Sequence, residues 1–505
     1  MNSISIRPSM KERLQFISIQ ALTAIFHLLS KRYYTFLWSF EVVPPQFLAW
    51  ASRIRAKRAA RRAVLFVPAY SKFVKKNEGA MAETDKASYI NAYSIDERCR
   101  GGKMPTTGVV IDESSGSSGT PYNWVRSPEE RSDSHQFISY FTRYCFGPSP
   151  GIIINAFSMG AWATGLNMGI ALQRNSIVKN TGPDIRKIFN TLSYFGEKQA
   201  YLILGYPPFI KQIIDVALAE SFPLKNFTLN AIVGGEGMSE GLRDYLLPYF
   251  QNVYSGYGAT DMEIGMAGET PLTVAIRRLT RSNPSLRAKL FGADSRLPML
   301  FQYNPLMHFL EVNEKDEILC TISRDNILSP RIRYNVHDQG GIMDFDKMMR
   351  ILSDSGLDVS ALTGSPKPLH LPFLWIYGRR DYTLSIMGAN IYPEDIEQCL
   401  YSSPELSRIT RSYCQSLVDA ADAGVRPLFC FEISEVPTEE RVLAFSETIT
   451  TNLIRINSDF RTAWYENRNA LLPVVKLFGF NEGPFKTSQG QIKQVRVVNV
   501  DRNRS

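Results

Sequence analysis

The chain has 505 residues, of which 44% are hydrophobic and 21% are charged, a balance typical of a globular protein. This length predicts about three domains, or one large α/β body with a satellite. The formal net charge of +8 suits a polyanionic ligand such as a nucleotide, or an anionic membrane surface, but proves neither. The six scattered cysteines, with no C-x-x-C pair, exclude a zinc-organised fold and indicate a reduced, cytoplasmic protein.

The first hundred residues combine an apolar stretch with basic patches. Residues 14–29 are too short and too interrupted by polar side chains to predict a membrane span. A basic patch follows, made of Arg53, Arg55, Lys57, Arg58, Arg61 and Arg62. Aromatic residues beside these arginines could give peripheral membrane contact. A helical layer packed on the main body is the more common explanation, and we favour it.

A serine- and glycine-rich loop, residues 114–121, lies between two apolar runs that read as strands. Small side chains let backbone N–H groups approach a ligand, and the hydroxyls add donors, which favours phosphate oxygens as the ligand. The Gly-Lys-Ser/Thr of a Walker loop is missing, and a flexible linker would explain the composition equally well.

Strands and helices alternate after this loop, which predicts an α/β fold with a parallel or mixed sheet. A helix is expected to begin at Pro128, where Ser127 and Glu130 form a capping box. Residues 151–157 and 201–204 read as buried strands.

Two predicted strands end in glycine-rich turns, residues 234–238 and 257–261. Ligands bind beyond the carboxyl ends of strands in open α/β sheets, so the two turns predict one shared crevice. Asp261 or Glu263 could help to hold Mg²⁺ through oxygen ligands. Two ordinary strand-to-helix turns remain the alternative.

Four further side chains have the chemistry that a nucleotide needs. Tyr257 could stack on a purine, and Thr260 could donate a hydrogen bond to a phosphate. Asp338 is an acceptor suited to ribose hydroxyls, and Arg379 offers planar donors to ribose or phosphate. Taken singly, Asp338 and Arg379 are more often parts of structural salt bridges.

Five motifs in this order resemble the adenylate-forming superfamily of acyl- and aryl-CoA ligases, and within it the phenylacetate-CoA ligase branch. They are the loop 114–121, Gly235-Glu-Gly, Tyr257-Gly-Ala-Thr-Asp, Arg-Tyr…Asp338-x-Gly and Gly378-Arg-x-Asp381. The resemblance implies a large N-terminal body of mixed sheets flanked by helices, followed by a small, mobile α+β lid domain. The implied divisions are 1–105 for a helical, basic segment packed on the body, 106–380 for the body and 381–505 for the lid.

The resemblance also implies a reaction. A carboxylic acid would be activated with ATP to an acyl-adenylate, and the acyl group would then pass to CoA as a thioester. ATP, Mg²⁺ and CoA are the implied cofactors, the partner is a small-molecule acid, and no nucleic acid is expected. An amine or a carrier-protein thiol could be the acceptor instead, and a non-catalytic nucleotide-binding relative is a further alternative.

The resemblance assigns the phosphate and adenine contacts. The ATP phosphates would be held by Ser114, Ser115, Gly116, Ser117, Ser118, Gly119 and Thr120. Gly235, Glu236 and Gly237 would lie along the adenine edge, with Tyr257 stacked on the ring.

The remaining nucleotide-binding residues implied by the resemblance are Gly258, Ala259, Thr260, Asp261, Asp338 and Arg379. Thr260 would touch the phosphate of the adenylate as a catalytic residue, and Asp261 would bind Mg²⁺. Asp338 would take the ribose hydroxyls with help from Arg379. Asp381 falls at the hinge before the lid domain.

The sequence departs from the family at three points. Asp261 stands where the family usually has Glu, and the loop lacks the lysine that many members carry. The C-terminal lysine motif reads Gly490-Gln491-Ile-Lys493. Aligning the residues after it makes Lys493 the catalytic lysine, whereas aligning the glycine puts Gln491 there. Lys486 is a further candidate.

Overall fold

The computed structural model describes residues 9–114, 122–160, 163–292, 294, 296–358, 367–379, 384–386, 389–419, 425–466 and 468–486. The chain forms two compact units. The first unit comprises residues 1–182, 254–292 and 297–377, and the second comprises 183–253, 293–296 and 378–505. Helices and strands alternate in both units, which confirms the predicted α/β class.

The helices are α1 (Met10–Ser30), α2 (Tyr33–Val42), α3 (Pro45–Phe66), α4 (Pro68–Lys76), α5 (Ile95–Arg98), α6 (Pro128–Phe146), α7 (Ala163–Leu172), α8 (Ile185–Phe195), α9 (Pro207–Ala219), α10 (Glu240–Leu246), α11 (Pro271–Ser282), α12 (Pro284–Phe291), α13 (Phe345–Asp354), α14 (Pro393–Tyr401), α15 (Pro404–Ile409), α16 (Glu439–Ile456), α17 (Ser458–Glu466) and α18 (Arg468–Leu471).

The strands are β1 (Val110–Ser114), β2 (Tyr122–Arg126), β3 (Ile152–Asn155), β4 (Ile177–Asn180), β5 (Ala200–Gly205), β6 (Thr228–Gly234), β7 (Val253–Ala259), β8 (Glu263–Gly268), β9 (Met299–Tyr303), β10 (His308–Val312), β11 (Glu317–Ile322), β12 (Tyr334–Met343), β13 (Phe373–Arg379), β14 (Leu384–Ile386), β15 (Ala389–Ile391), β16 (Thr410–Asp419), β17 (Val425–Ile433) and β18 (Val474–Phe478).

Helices α1 to α3 form a layer against α6 in the first unit. The Phe36 ring lies 5.2 Å from the Tyr140 ring and 6.3 Å from the Phe137 ring, measured between centroids. Aromatic pairs at such distances stabilise a fold beyond what their buried area alone provides, so these ring contacts help to hold the layer on α6.

Among the residues that the structure describes, no helix is both long and apolar enough to cross a bilayer.

The strands of the first unit form mixed pairings. In the order β10, β11, β12, β13, β9, β8 and β7, each strand neighbours the next, and β3 pairs with β4 in parallel. Strands β1 and β2 make a separate antiparallel hairpin with Ser114 opposite Tyr122. Residues 115–121, which connect them, lie outside the described residues. The hairpin therefore fixes both ends of the serine- and glycine-rich loop.

The second unit has a parallel pair, β5 and β6, and a three-stranded sheet in the order β16, β17, β18. Phe429 and Phe431 of β17 are fully buried against Phe445 of α16. Lys211 of α9 reaches this part of the unit, since its Nζ donates to Thr410 O at 3.1 Å. Residues 183–253, which the motifs place in the large body, thus contact the C-terminal segment within this unit.

Helix α6 begins at Pro128 as predicted, and Ser127 Oγ accepts from Glu130 N at 3.2 Å. The predicted return contact from the Glu130 side chain is replaced by others. Its carboxylate accepts from Leu328 N at 2.8 Å and lies 3.7 Å from Arg126 Nη1. Glu130 therefore belongs to a buried ionic cluster and not to a capping box, because a fully buried carboxylate needs a cation nearby.

Candidate active site

Tyr257 and Asp338, both predicted to bind a nucleoside, lie in contact. Tyr257 Oη, from β7, donates to Asp338 Oδ2, from β12, at 2.6 Å. The Tyr257 ring is also stacked on the Phe301 ring with centroids 5.6 Å apart. Tyr257 and Asp338 therefore lie side by side in the first unit. The Tyr257 ring could stack on a purine, and the Asp338 carboxylate could accept from ribose hydroxyls.

Arg126 joins the hairpin that carries the serine- and glycine-rich loop to the turn 257–261. Its Nε lies 3.1 Å from Asp112 Oδ2 across the hairpin, and its Nη2 donates to Thr260 O at 2.6 Å. The side chain is 5% exposed, so these contacts are made away from water. A single buried guanidinium thus fixes the loop base relative to the turn, since its planar fork sets the geometry.

Asp261 is held by three neighbours. Arg331 Nε donates to its carbonyl oxygen at 2.9 Å, and Tyr334 Oη donates to its Oδ2 at 3.2 Å. Lys86 Nζ lies 3.1 Å from the same Oδ2. Burial and the adjacent Asp261 raise the pKa of Tyr334 far above its ordinary value, so this hydroxyl stays protonated and can only donate to the carboxylate.

Lys86 reaches the site from the N-terminal hundred residues. It opens a π-helical turn, Lys86–Ile90, capped by Asp85, whose Oδ1 accepts from Ser88 N at 2.6 Å. Its Nζ lies 5.0 Å from the centroid of the Tyr122 ring, a cation–π contact at the end of the loop. Lys86 was not identified from the sequence. Its one indirect signal was that the loop lacks a lysine, so a cation from elsewhere in the chain could be needed.

The carboxylate of Asp261, the predicted Mg²⁺ ligand, already has protein partners. Within the described parts of the chain, no group of three or more His, Cys, Asp or Glu side chains could hold a metal ion. Asp261 contacts Lys86 and Tyr334 through its Oδ2. A cation bound at Oδ2 would be repelled by Lys86, and binding of Mg²⁺ by Asp261 stays a prediction.

Glu263, the other acid considered for Mg²⁺, is 4% exposed and paired with the Arg324 guanidinium. Its Oε2 lies 2.8 Å from His308 Nε2, and its Oε1 contacts Arg324 and the Ser134 hydroxyl. Burial by itself would raise the pKa of Glu263, but Arg324 and His308 together hold it below its ordinary value. Glu263 is therefore a buried structural anion, ionised at neutral pH.

The predicted adenine-edge turn lies in the second unit. Gly235 adopts a φ of +84°, and a Cβ placed there would lie 2.7 Å from Tyr206 Cε1, so a larger residue would be strained. Glu236 and Gly237 follow, and Ser239 Oγ then caps α10 by accepting from Leu242 N at 3.1 Å. The convergence of this turn with the Tyr257 turn stays a prediction.

Close packing also explains Gly258, which precedes Ala259 and Thr260 in the first unit. A Cβ at Gly258 would lie 2.6 Å from Glu263 O. The glycine is therefore required by the approach of β8 to β7. This is a structural reason that holds with or without a bound nucleotide.

Several predicted site residues lie outside the described residues. They are Ser115, Gly116, Ser117, Ser118, Gly119, Thr120, Asp381, Gln491 and Lys493, together with the side chains of Ser114 and Arg379. Their roles in phosphate binding, hinge motion, catalysis and ribose binding stay predictions.

Comparison with solved structures identifies the fold. No protein-family model and no curated protein matches this chain. The chain is similar to 2-hydroxyisobutyryl-CoA ligase in its postadenylation state with R3-HIB-AMP, at a TM-score of 0.63 and 14% identity over 91% of each chain. The same ligase with 2-HIB-AMP gives 0.62 and 14% over 89% of each chain, and its thioesterification state with 2-HIB-AMP and CoA gives 0.52 and 14% over 91% of each. The chain therefore has the fold of the adenylate-forming acyl-CoA ligases, as the five motifs predict.

Proposed function

We propose that the protein activates a carboxylic acid with ATP as an acyl-adenylate and then transfers the acyl group to CoA. The observation that carries this proposal is the contact of Tyr257 with Asp338, next to a turn that Arg126 ties to the loop base. The similar 2-hydroxyisobutyryl-CoA ligase was captured with an acyl-AMP and CoA, which supports the same pair of half-reactions here.

The two half-reactions make different demands on the chain. In the first, a carboxylate oxygen attacks the α-phosphorus of ATP, and the bond to pyrophosphate breaks. In the second, a thiol attacks the acyl carbon, and AMP leaves. Negative charge grows on the phosphoryl oxygens in the first step, so fixed donors and cations placed there lower its barrier. A hinge at Asp381 would let the lid domain serve the two steps in turn.

The nucleoside would be held by Asp338 and Tyr257. Asp338 would accept hydrogen bonds from the ribose hydroxyls, while the Tyr257 ring packs on the adenine. The Tyr257 hydroxyl, 2.6 Å from Asp338 Oδ2, keeps that carboxylate oriented before ATP arrives. Such pre-organisation reduces the entropy lost on binding.

Lys86 would supply the cation that the loop lacks. Its Nζ lies between the Tyr122 ring, at the end of the loop, and the Asp261 carboxylate. Asp261 is the residue that would hold Mg²⁺, and the metal would neutralise phosphate charge when bound. Thr260, whose carbonyl is fixed by Arg126, would present its hydroxyl to the phosphate.

Pyrophosphate release, measured with ATP and a panel of aromatic, medium-chain and polyketide-like acids, tests the function. We expect release with at least one acid and a CoA thioester detectable by mass spectrometry. Asp338→Ala should raise the KM for ATP about 10- to 100-fold, because hydrogen bonds to a charged acceptor are lost. Glu314→Ala, on the exposed β10–β11 turn, is the matched control. ATP binding without release of pyrophosphate in the presence of any of the acids would show a non-catalytic relative instead.

Lys86→Ala is expected to slow acyl-adenylate formation about 10- to 100-fold, since one charge-assisted contact to the phosphates is removed. Lys86→Arg should retain most of the rate because it keeps the charge. The measurement is the burst of pyrophosphate in a single turnover, with Lys75→Ala, an exposed lysine of α4, as the control. A full burst in Lys86→Ala would mean that Lys86 only balances the charge of Asp261.

A further inference from the structure

One face of helix α1 is apolar and exposed along its length. The side chains on it recur at helical spacing and are 54–76% exposed: Met10, Leu14, Ile17, Ile25 and Leu28. The opposite face is marked by Ile19, which is 2% exposed and packs in the N-terminal layer. A helix of 21 residues is about 31 Å long, so the exposed apolar side chains form a stripe along nearly the whole of α1.

Helix α2 adds a second exposed apolar row beside the first. Tyr34, Trp38 and Val42, four residues apart, are 71%, 56% and 48% exposed. The two helices are joined from inside, with the Phe26 and Phe40 rings 6.3 Å apart. Among the described residues, 10 of the 22 large hydrophobic side chains that are exposed fall within residues 10–66. The apolar surface is thus concentrated on this layer.

The same layer carries the positive charge of the protein. Residues 9–66 contain ten lysines and arginines but two acids, Glu12 and Glu41, a formal charge of +8 that equals the charge of the whole chain. The remainder of the chain is therefore formally neutral. The basic residues that are exposed are Lys11, Arg13, Lys31, Arg32, Arg53 and Lys57.

Helix α3 runs antiparallel to α1 and packs on the face of α1 opposite the apolar stripe. Arg55 Nη1 donates to Thr23 Oγ1 at 2.5 Å near the middle of α1. Arg61, further along α3, interacts electrostatically with Glu12 and Arg13 at the start of α1. Thr23 follows Ile19 by about one helical turn, so these contacts hold α1 with its apolar stripe facing outward. At helical spacing, the exposed Lys11 and Arg13 lie on the two sides of that stripe.

We propose that α1 and α2 dock the protein on the surface of an anionic lipid bilayer. The apolar side chains would enter the headgroup region, with Tyr34 and Trp38 at its boundary, and the basic side chains would contact anionic headgroups. No described helix can span the bilayer, so the helices would lie along its surface. A second copy of this chain fits less well, because two layers of the same high positive charge would repel each other. This proposal does not depend on the ligase activity.

Sedimentation of the full-length protein with vesicles tests the proposal. We expect the protein to pellet with vesicles of phosphatidylcholine and phosphatidylserine and to bind about tenfold less to phosphatidylcholine alone, since charge supplies part of the affinity. Raising the salt concentration should release it from the mixed vesicles, because salt screens exposed charges. The proposal is wrong if the protein pellets with neither kind of vesicle. It is also wrong if binding depends on neither the salt concentration nor phosphatidylserine.

Two double variants separate the apolar from the basic contribution. Leu14→Glu with Ile17→Glu should lower binding to mixed vesicles at least about tenfold, because two inserted side chains become charged. Lys11→Gln with Arg13→Gln should weaken binding to the mixed vesicles and leave binding to phosphatidylcholine unchanged.

The matched control is Val436→Glu with Leu443→Glu, which alters side chains 73% and 61% exposed in the second unit. It should bind like the wild type. Thermal unfolding and acyl-adenylate formation should be unchanged in all three double variants, since the altered side chains are exposed. If the wild type is instead a dimer without lipid and Leu14→Glu with Ile17→Glu makes it monomeric, the occupant of this face is a second copy and the proposal is wrong.

Discussion

Replacing Arg126 with methionine is expected to destabilise the first unit by about 3–5 kcal/mol, the range seen when one partner of a buried ion pair is removed. Asp112 and Glu130, which are 3% and 0% exposed, would lose the cation between them. Burial already raises the pKa of Glu130, and Arg126 opposes that rise. Without Arg126, Glu130 should take up a proton more readily, so the loss of stability should be larger at high pH than at low pH.

The catalytic consequence of Arg126→Met follows from its third contact. Arg126 Nη2 donates to Thr260 O, so the variant would release the turn 257–261 from the loop base. Acyl-adenylate formation should fall to background even at temperatures where the variant is folded. The exchange of backbone hydrogens in the β1–β2 hairpin should also become faster than in the wild type.

Two controls make the Arg126 result specific. Arg126→Lys keeps a positive charge but cannot span both carboxylates and the Thr260 carbonyl, so we expect an intermediate loss. Lys72→Met removes one partner of the Lys72–Glu97 pair, whose lysine is 61% exposed, and should leave thermal unfolding unchanged. Equal melting temperatures for Arg126→Met and the wild type would show that the buried cluster does not hold the hairpin.

Local sequence patterns predicted the elements because their causes are local. The small-residue loop is bounded by β1 and β2, and Ser127 caps α6, since strand periodicity and helix caps depend on neighbouring residues. The motif order predicted the fold class for a different reason, namely the resemblance of five short segments in sequence order to a known family.

Contacts between distant residues could not be predicted in the same way. Arg126 and Thr260 are 134 positions apart, and nothing in either segment indicates the other. The Glu130 side chain satisfies the pattern of a capping box, yet burial beside Arg126 gives it a different role. Lys86 lies in a region without a recognisable motif, so its place beside Asp261 became visible only in three dimensions.

Lys493→Ala is expected to slow acyl-adenylate formation about 10²- to 10³-fold, the usual cost of losing one donor that faces developing negative charge. The physical reason is that charge gathers on the phosphoryl oxygens as the carboxylate attacks. A lysine side chain can meet that charge in the first half-reaction, whereas the attack of the thiol on the acyl carbon makes no such demand. Transfer from a supplied acyl-adenylate to CoA should therefore keep its rate in this variant, which separates a loss of chemistry from a loss of folding.

The neighbouring residues decide between the possible alignments of the motif. If Lys493 is the catalytic lysine, Lys476→Ala, an exposed lysine of β18, and Lys486→Ala should both retain the wild-type rate of adenylation. If the glycine alignment is right, Lys493→Ala should be active, and Gln491→Lys should increase the rate by restoring the cation. A loss confined to Lys486→Ala would move the assignment there. Because the possible assignments place Lys493, Lys486 or the uncharged Gln491 at the site, single-turnover pyrophosphate release from these four variants identifies which residue faces the α-phosphate.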